Sequence, residues 1–453
     1  MSIFEVEYSN ERILPNSGMA IVGAILEQGG FREKMNRLDV TGRRSGHQIK
    51  DGDLMSTYIA LCCMGKPDFE AVHEMDGDPE FYELCLGVER LPSEVALRQR
   101  MDKIGESRRE AILKANVETL RRNGAAPSPL SNGYVPVDMD VTPFDNSKTK
   151  KEGVSRTYKG FDGYAPMMAY IGAEGYLMNT ELRPGKQHCQ NHTPDFLRQT
   201  VALCKSLTDA PLLFRLDSGN DAAENMGIFL REGCWFIVKR NLRKESKSAW
   251  CDEMKRLSGD VEHPREGKAV YIGSTWKDIL IEDESGAKQT VTLRAVYEII
   301  ERTIDKYGQY LLSPDIEVNM FWTNLPVSDR NVIALYHAHG ESEQFHSELK
   351  SDMNLERLPS GKFETNALAL ELGMIAYNIL RMIGQESLRK KDAPMKRQAF
   401  RRRLRTVIEN LIMMASHLTS HARKLTLGLG YSNPWRRAFA RLFFVFTSPV
   451  CYS

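Results

Sequence analysis

The sequence lacks three features that would place the protein in a familiar class. Its eight cysteines include no CxxC pair, which argues against a disulfide framework and a zinc ribbon. It has no uncharged apolar run of about 18 residues, so we expect a cytoplasmic protein without a membrane contact. It has no excess of positive charge, because 61 Lys and Arg stand against 60 Asp and Glu. Any contact with nucleic acid must therefore come from local patches.

Length and periodicity predict several structural units, because 453 residues exceed what one core usually organises. Apolar residues three and four apart predict helices from Gly18 to about Leu120, and alternating strands and helices from Tyr134 indicate a mixed α/β sheet. We predict a helical DNA-binding region at 1–125, an α/β core at 126–242, a strand-rich insertion at 243–314, the final core strand and helices at 315–385, and a basic helical region at 386–453.

Carboxylates follow two of the predicted strands. The first strand ends with Asp138 and Asp140, and residues two apart on a strand share a face, so either could bind a metal. A second, apolar strand delivers Asp217 into a Ser-Gly turn. Each motif alone also fits an ordinary solvated strand end or turn.

A helical segment supplies a third carboxylate. Four residues of this segment share one face of the predicted helix. They are Tyr336, His339, Glu343 and Lys350. Without the two strand-borne aspartates, an amphipathic surface helix would explain this spacing equally well.

Together these motifs resemble those of the DDE transposases of bacterial insertion sequences. That family carries a Y-x2-R-x3-E-x6-K signature, which Tyr336, Glu343 and Lys350 match, while His339 replaces the arginine. Its first aspartate stands in a D-x-T turn, as Asp140 does, and its second aspartate stands in a context similar to that of Asp217. The stretches YKGFDGYAPMM and ELRPGKQH are similar to further family motifs.

The resemblance implies a fold and a chemistry. The fold is α/β, with a ribonuclease H-like mixed sheet core, a largely β insertion, and helical regions on both sides. The resemblance assigns metal binding and catalysis to Asp140, Asp217 and Glu343, with Asp138 left open as the alternative to Asp140. The implied cofactor is Mg²⁺, which prefers oxygen ligands, with Mn²⁺ as a substitute.

Seven residues are predicted to bind DNA. Tyr336, His339 and Lys350 would do so beside the carboxylates, and Trp322 would stack on a flipped base unless it packs in the core. The others are Arg401, Arg402 and Arg403, within a run at 387–405 that holds nine Lys or Arg against one Asp. That run could instead be a solvated linker.

Two further segments are interpreted with their alternatives. The segment around Ser93, Arg98 and Arg100 resembles a helix-turn-helix, although most helical hairpins are structural. His188 and Cys189 lie close in sequence to a further histidine, His192, but no fourth ligand has a usual spacing, so we expect no structural zinc there.

The predicted function is transposition. The protein would bind the terminal inverted repeats of an insertion sequence, cleave double-stranded DNA at the element ends and join them to target DNA. Pairing two ends implies a dimer in the DNA-bound state, in a bacterial cytoplasm and associated with the nucleoid. The alternatives are a transposase-derived DNA-binding protein and another ribonuclease H-like nuclease.

Overall fold

The N-terminal part of the chain is helical, as its periodicity predicts. The computed structural model describes residues 6–38, 48–257, 260–282 and 286–448. Its first elements are β1 (Ile13–Leu14), α1 (Met19–Gly29), α2 (Phe31–Arg37), α3 (Asp51–Cys63), α4 (Pro79–Leu86), α5 (Glu94–Ile104) and α6 (Arg109–Arg122). Ser93 caps α5, because its hydroxyl accepts the N–H of Ala96 at 3.3 Å.

A mixed sheet and its helices form the middle of the chain. The strands are β2 (Val135–Val141), β3 (Phe144–Asp145), β4 (Ser155–Arg156), β5 (Asp162–Tyr164), β6 (Met167–Ile171), β7 (Tyr176–Glu181), β8 (Leu212–Leu216), β9 (Trp235–Lys239), β10 (Asp260–Arg265), β11 (Lys268–Glu282), β12 (Lys288–Ile304) and β13 (Tyr310–Thr323). The helices among them are α7 (Thr193–Leu207), α8 (Ala223–Arg231) and α9 (Lys247–Leu257).

Nine of these strands form one sheet, in the order β10-β11-β12-β13-β9-β8-β2-β6-β7. At its centre β2 is parallel to β8 and antiparallel to β6, and β8 is parallel to β9. β2 and β8 are short, apolar and buried on both faces, as strands between helical layers usually are. The mixed α/β core predicted from the sequence is confirmed.

The strand-rich insertion continues this sheet. β11 and β12 form a long hairpin, and β13 pairs with β12 before it reaches β9. There Phe321 lies opposite Lys239 and Thr323 lies opposite Ile237. β13 begins at Tyr310, inside the range expected for the insertion, so one strand belongs to both the insertion and the core.

The last third of the chain departs from two expectations. Its elements are α10 (Asp329–His337), α11 (Ser342–Ser347), α12 (Phe363–Leu388), α13 (Leu404–Val407), β14 (Ser416–His421), β15 (Lys424–Leu429) and α14 (Arg436–Thr447). The single helix predicted to carry Tyr336, His339, Glu343 and Lys350 is wrong, because a 3₁₀ turn at Ala338–Glu341 separates α10 from α11. This turn contains Gly340, and glycine weakens a helix interior.

The second departure is the hairpin of β14 and β15, where we predicted only helix. Apolar residues alternate along β15 at Leu425, Leu427 and Leu429, which is the period of a strand. β14 also pairs with β1 near the N-terminus, so this hairpin joins the two ends of the described chain.

The longest helix, α12, is the centre of the core. It has the length and composition of a membrane-spanning helix, but its apolar stretch is wholly buried inside the protein. It packs against α3 and β7. α12 therefore holds the N-terminal helices against the sheet.

Candidate active site

Two aspartates meet at one edge of the sheet. β2 and β8 are parallel, and their register places Met139 opposite Leu216. The next residues along the two strands are Asp140 and Asp217, at the carboxyl ends where side chains emerge from a parallel pair. Asp217 is held by the N–H of Gly219 at 3.2 Å and the amide of Asn220 at 2.7 Å.

The two aspartates repel each other. Burial, together with the negative charge of Asp217, raises the pKa of Asp140 to about 7. Asp140 accepts the N–H of Val141 at 2.7 Å. In the described part of the chain, no Lys or Arg forms an ion pair with either aspartate. This edge of the sheet therefore carries negative charge that the protein itself does not neutralise.

Asp138, the alternative left open by the sequence, is fully engaged. Arg215 binds both of its carboxylate oxygens, at 2.6 and 2.7 Å, and His339 Nδ1 lies 2.9 Å from one of them. Burial opposes the charged form, but these two neighbours keep the pKa of Asp138 below its usual value. This arrangement favours Asp140 over Asp138 as a metal ligand.

Glu343 lies on the same cavity as the aspartates. The cavity has a volume of about 640 Å³, and its wall includes Asp140, Asp217, Glu343, Lys159 and Lys350. Glu343 is in the first turn of α11, directly after the 3₁₀ turn. Among the described residues, no three His, Cys, Asp or Glu side chains are grouped closely enough to hold a metal ion. Asp140, Asp217 and Glu343 therefore line one cavity without forming a closed three-carboxylate group among the described residues.

Comparison with protein families decides the assignment. The model of the family described as "Transposase DDE domain group 1" matches residues 4–447. The chain belongs to this family. No curated protein matches the sequence. A cryo-EM structure of a piggyBac transposase synaptic complex with hairpin DNA is similar over 88% of this chain and 80% of that chain, at 10% identity and a TM-score of 0.40.

Family membership supports a transposase, and such enzymes typically use divalent metal ions. The donor set fits this requirement. Carboxylate oxygens are the ligands that hard divalent cations prefer. A cation between Asp140 and Asp217 would also remove the repulsion that raises the pKa of Asp140.

In this DDE transposase, three of the residues predicted to bind DNA lie on the wall of this cavity. Tyr336 lines it and packs against Phe321, with ring centroids 4.6 Å apart. Lys350 also lines it, although its ammonium donates to the carbonyl of Pro143 at 2.8 Å. His339, which was predicted to bind DNA, is buried and bound to Asp138, so in this structure it supports the strand beside the cavity.

Trp322 occupies a neighbouring position. Its indole N–H donates to Asp221 at 3.0 Å, and the guanidinium of Arg240 lies 5.5 Å from its ring centroid. The ring is 6% exposed, which fits the core-packing alternative. Trp322 and Arg240 also line a second cavity of about 610 Å³, which adjoins Asp217 through Ser218 and Gly219.

The arginines at 401–403 do not form the open basic patch that was expected. Arg401 binds Glu348 at 2.8 Å, and Arg403 binds Asp352 at 2.9 Å. Arg402 is buried, with its guanidinium 4.2 Å from the ring centroid of Trp435. Arg401 and Arg403 thus pair with buried carboxylates of the preceding helical segment, which need cationic partners. Arg402 packs in the interior, whereas the side chain of Arg403 stays 44% exposed.

The remaining sequence motifs have internal partners as well. Arg98 pairs with Glu94, and Arg100 pairs with Asp51. The thiol of Cys189 contacts the carbonyl of Gly219 at 2.9 Å. The described cysteines form no disulfide, and Cys451 lies outside the described residues. No metal group involving His188 or His192 occurs in the part of the chain that the structure describes.

Sequence reasoning missed two residues of the cavity wall. His346 is buried with its Nε2 3.9 Å from Asp140, and burial lowers its pKa to about 3. The spacing Glu343-x-x-His346 places both on one helix face and could have indicated it. Lys159, in the YKGFDG segment, is the second, and its charge acts to lower the pKa of Asp140.

Proposed function

We propose that this DDE transposase serves a bacterial insertion sequence, whose terminal inverted repeats it binds and cleaves before joining the ends to target DNA. One observation carries the proposal. Asp140 and Asp217 emerge side by side from parallel strands without a cationic partner among the described residues, so that the charge of Asp217 helps to raise the pKa of Asp140 to about 7. Such an arrangement suits a site that binds cations.

In this proposal Asp140, Asp217 and Glu343 hold Mg²⁺, for which Mn²⁺ can substitute. Ions held there would supply activation of a water or a 3′-hydroxyl for in-line attack and stabilisation of the leaving oxygen. Three carboxylates suffice, because Mg²⁺ keeps several waters and also takes oxygens from the DNA phosphate. The proposal requires Glu343 to approach the aspartates in the DNA-bound state, because among the described residues these three carboxylates are not grouped closely enough to hold a metal ion.

The surrounding residues would orient these ligands. Gly219 and Asn220 fix the carboxylate of Asp217, and the N–H of Val141 fixes that of Asp140. Lys159 and Lys350 bring positive charge to the cavity wall, where a DNA phosphate would enter. Tyr336 would contact the DNA strand whose phosphate enters the cavity. Trp322 would stack on a flipped base only if its hydrogen bond to Asp221 opens.

The wider assembly follows from the reaction. Two DNA ends must be held together before they are joined, so we propose a dimer on double-stranded DNA. The protein would work in the bacterial cytoplasm, at the nucleoid when bound. The arginines at 401–403 would contribute to DNA binding only indirectly, by holding the C-terminal segment against the helical segment that follows Glu343.

The test is cleavage of labelled DNA that carries the sequences flanking the gene on both sides. We expect cleavage at the element boundary with Mg²⁺ or Mn²⁺ and a loss of at least about 10³-fold in Glu343→Gln, because a ligand of the transition-state metals is removed. Glu341→Gln is the matched control, since Glu341 is exposed two residues away and does not line the cavity.

Three outcomes separate the alternatives. Cleavage by the control and not by Glu343→Gln supports the proposal. Binding of the ends without cleavage under either metal would favour a DNA-binding protein derived from a transposase. Equal cleavage by all three proteins would show that Glu343 is not in the active site.

A further inference from the structure

One histidine beside the proposed catalytic aspartates has an unusual environment. His346 is 5% exposed, and its ring stands nearly perpendicular to that of Tyr170, with centroids 5.2 Å apart at 70°. Its Nδ1 lies 3.2 Å from the hydroxyl of Tyr170. Tyr170 is itself buried in β6 between Phe345 and Tyr377. The position of the imidazole is therefore set by rigid neighbours.

The second ring nitrogen has no such partner. Among the described residues no group forms a hydrogen bond with His346 Nε2, although this atom is buried. It lies 3.9 Å from a carboxylate oxygen of Asp140, and His346 belongs to the wall of the cavity that Asp140, Asp217 and Glu343 also line. Buried polar atoms are nearly always satisfied, so an orphaned nitrogen at this place indicates a partner that arrives from the cavity.

The neighbours of Tyr170 suggest which nitrogen carries the proton. The Tyr170 hydroxyl donates to the sulfur of Met168 at 3.3 Å. Its oxygen can then accept a hydrogen bond from the N–H of His346 Nδ1. In that tautomer Nε2 carries a lone pair on the side of Asp140. Metal-binding histidines share this arrangement, because a hydrogen bond from one nitrogen fixes the tautomer and orients the other toward the ion.

We propose that His346 is a ligand, through Nε2, of the divalent cation bound by Asp140. This inference rests on the proposed function, since it takes Asp140 as a metal ligand. The distance agrees: two atoms bound to one ion at about 2.1 Å each lie about 3 to 4 Å apart, and the observed separation is 3.9 Å. His346 also lies three residues after Glu343, so both face the cavity from adjacent turns.

A nitrogen ligand changes the expected metal preference. Carboxylates and water suit Mg²⁺, whereas imidazole suits the transition metals. His346 therefore adds more to the binding of Mn²⁺ than to that of Mg²⁺. We expect His346→Gln to weaken Mn²⁺ binding by about 10-fold or more and Mg²⁺ binding by clearly less.

The direct test is pulsed electron paramagnetic resonance of Mn²⁺ bound to the full-length protein. A histidine ligand gives a ¹⁴N modulation, which changes when the protein is made with ¹⁵N-labelled histidine. We expect the modulation in the wild type, its loss in His346→Gln, and its persistence in His337→Gln. His337 is the matched control, because it lies nine residues away with a side chain 56% exposed.

The outcomes distinguish this inference from the function on which it rests. Mn²⁺ binding that Asp140→Asn abolishes, without ¹⁴N modulation in the wild type, would overturn the role of His346 and leave the carboxylate site standing. Failure of Mn²⁺ to bind at Asp140 would overturn both the role of His346 and the carboxylate metal site. Should His346→Gln not fold, His339→Gln decides the matter, since His339 is the other histidine on the wall of this cavity and loss of the modulation there would assign the ligand to it.

Discussion

Two groups of carboxylates in this transposase, one buried and one half-buried, have opposite surroundings. Glu348 and Asp352, in the helical segment that follows α11, have arginine partners: Arg381 and Arg401 bind Glu348, and Arg403 binds Asp352. Among the described residues, Asp140 and Asp217, at the sheet edge, accept hydrogen bonds only from neutral amide groups. The first group holds the fold together, whereas the second is left available for a cation.

The same contrast occurs within a single strand. Asp138 and Asp140 are two residues apart on β2, yet Asp138 is bound by Arg215 and His339 while Asp140 faces another carboxylate. The pKa of Asp138 is lowered and that of Asp140 is raised. Neutralising partners, and not burial alone, therefore separate a structural aspartate from a proposed catalytic one.

The largest change in stability should come from the carboxylates that arginines neutralise. Arg381→Met leaves Glu348 buried without its closest cation, so we expect the free energy of unfolding to fall by about 3–5 kcal/mol in chemical denaturation. Arg389→Met is the control, because this arginine is 69% exposed in its pair with Glu386 and should contribute less than about 1 kcal/mol. Equal effects of the two variants would mean that Glu348 is not the buried anchor described here.

Substitution of Asp140 should change stability by a smaller amount than Arg381→Met and in the opposite direction. The folded-state pKa of Asp140, about 7, lies above its unfolded value. The free energy of unfolding without metal therefore falls as pH rises from the unfolded pKa to the folded pKa. Asp140→Asn should therefore stabilise the protein by about 2 kcal/mol at pH 8 in chelator, and should abolish any stabilisation by Mn²⁺. Thermal unfolding in chelator measures the gain in stability, and thermal unfolding with added Mn²⁺ measures the loss of stabilisation by the metal.

Asp138→Asn is the matched control for that prediction. It leaves Arg215 buried without its carboxylate, so it should destabilise the protein. If both substitutions changed stability in the same direction, the two aspartates would not differ in the way their surroundings indicate.

The smallest effect concerns His339. Burial opposes its charged form, but Asp138 raises its pKa above the ordinary value, so the protonated ring stabilises the fold. This contribution is complete below the unfolded pKa of about 6.5 and is lost as pH rises through the higher folded value. His339→Gln should remove about 1 kcal/mol of that pH dependence, measured by denaturation from pH 6 upward in chelator. An unchanged slope would mean that His339 is neutral throughout.

Local pattern predicted part of the arrangement around the candidate site. The predicted strands do bring Asp140 and Asp217 to one edge of the sheet, and Glu343 lines the same cavity, whereas the choice of these three residues as metal ligands came from the family resemblance and stays a prediction. What local pattern could not supply were partners distant in sequence, such as Arg215 for Asp138 or Glu348 for Arg401. A run of arginines indicates positive charge, but only the tertiary structure shows that buried carboxylates already bind much of it.

Two misses had local signals of their own. The alternation of leucines in β15 indicates a strand, and the Glu343-x-x-His346 spacing indicates a shared helix face. The break at Ala338–Glu341 was harder to foresee, because Gly340 weakens the helix only modestly and the bond from His339 to Asp138 depends on the folded sheet.

Because β13 returns to pair with β9 only after the long hairpin, the segments that carry the proposed ligands are far apart in the order of translation. The strands that carry Asp140 and Asp217 are complete early, whereas Glu343 follows only after the long hairpin of β11 and β12 and the returning β13 have been translated. A nascent chain or a truncated fragment that stops within this hairpin therefore carries two of the three proposed carboxylate ligands. The order of translation itself delays assembly of the complete proposed metal site until most of the polypeptide has emerged.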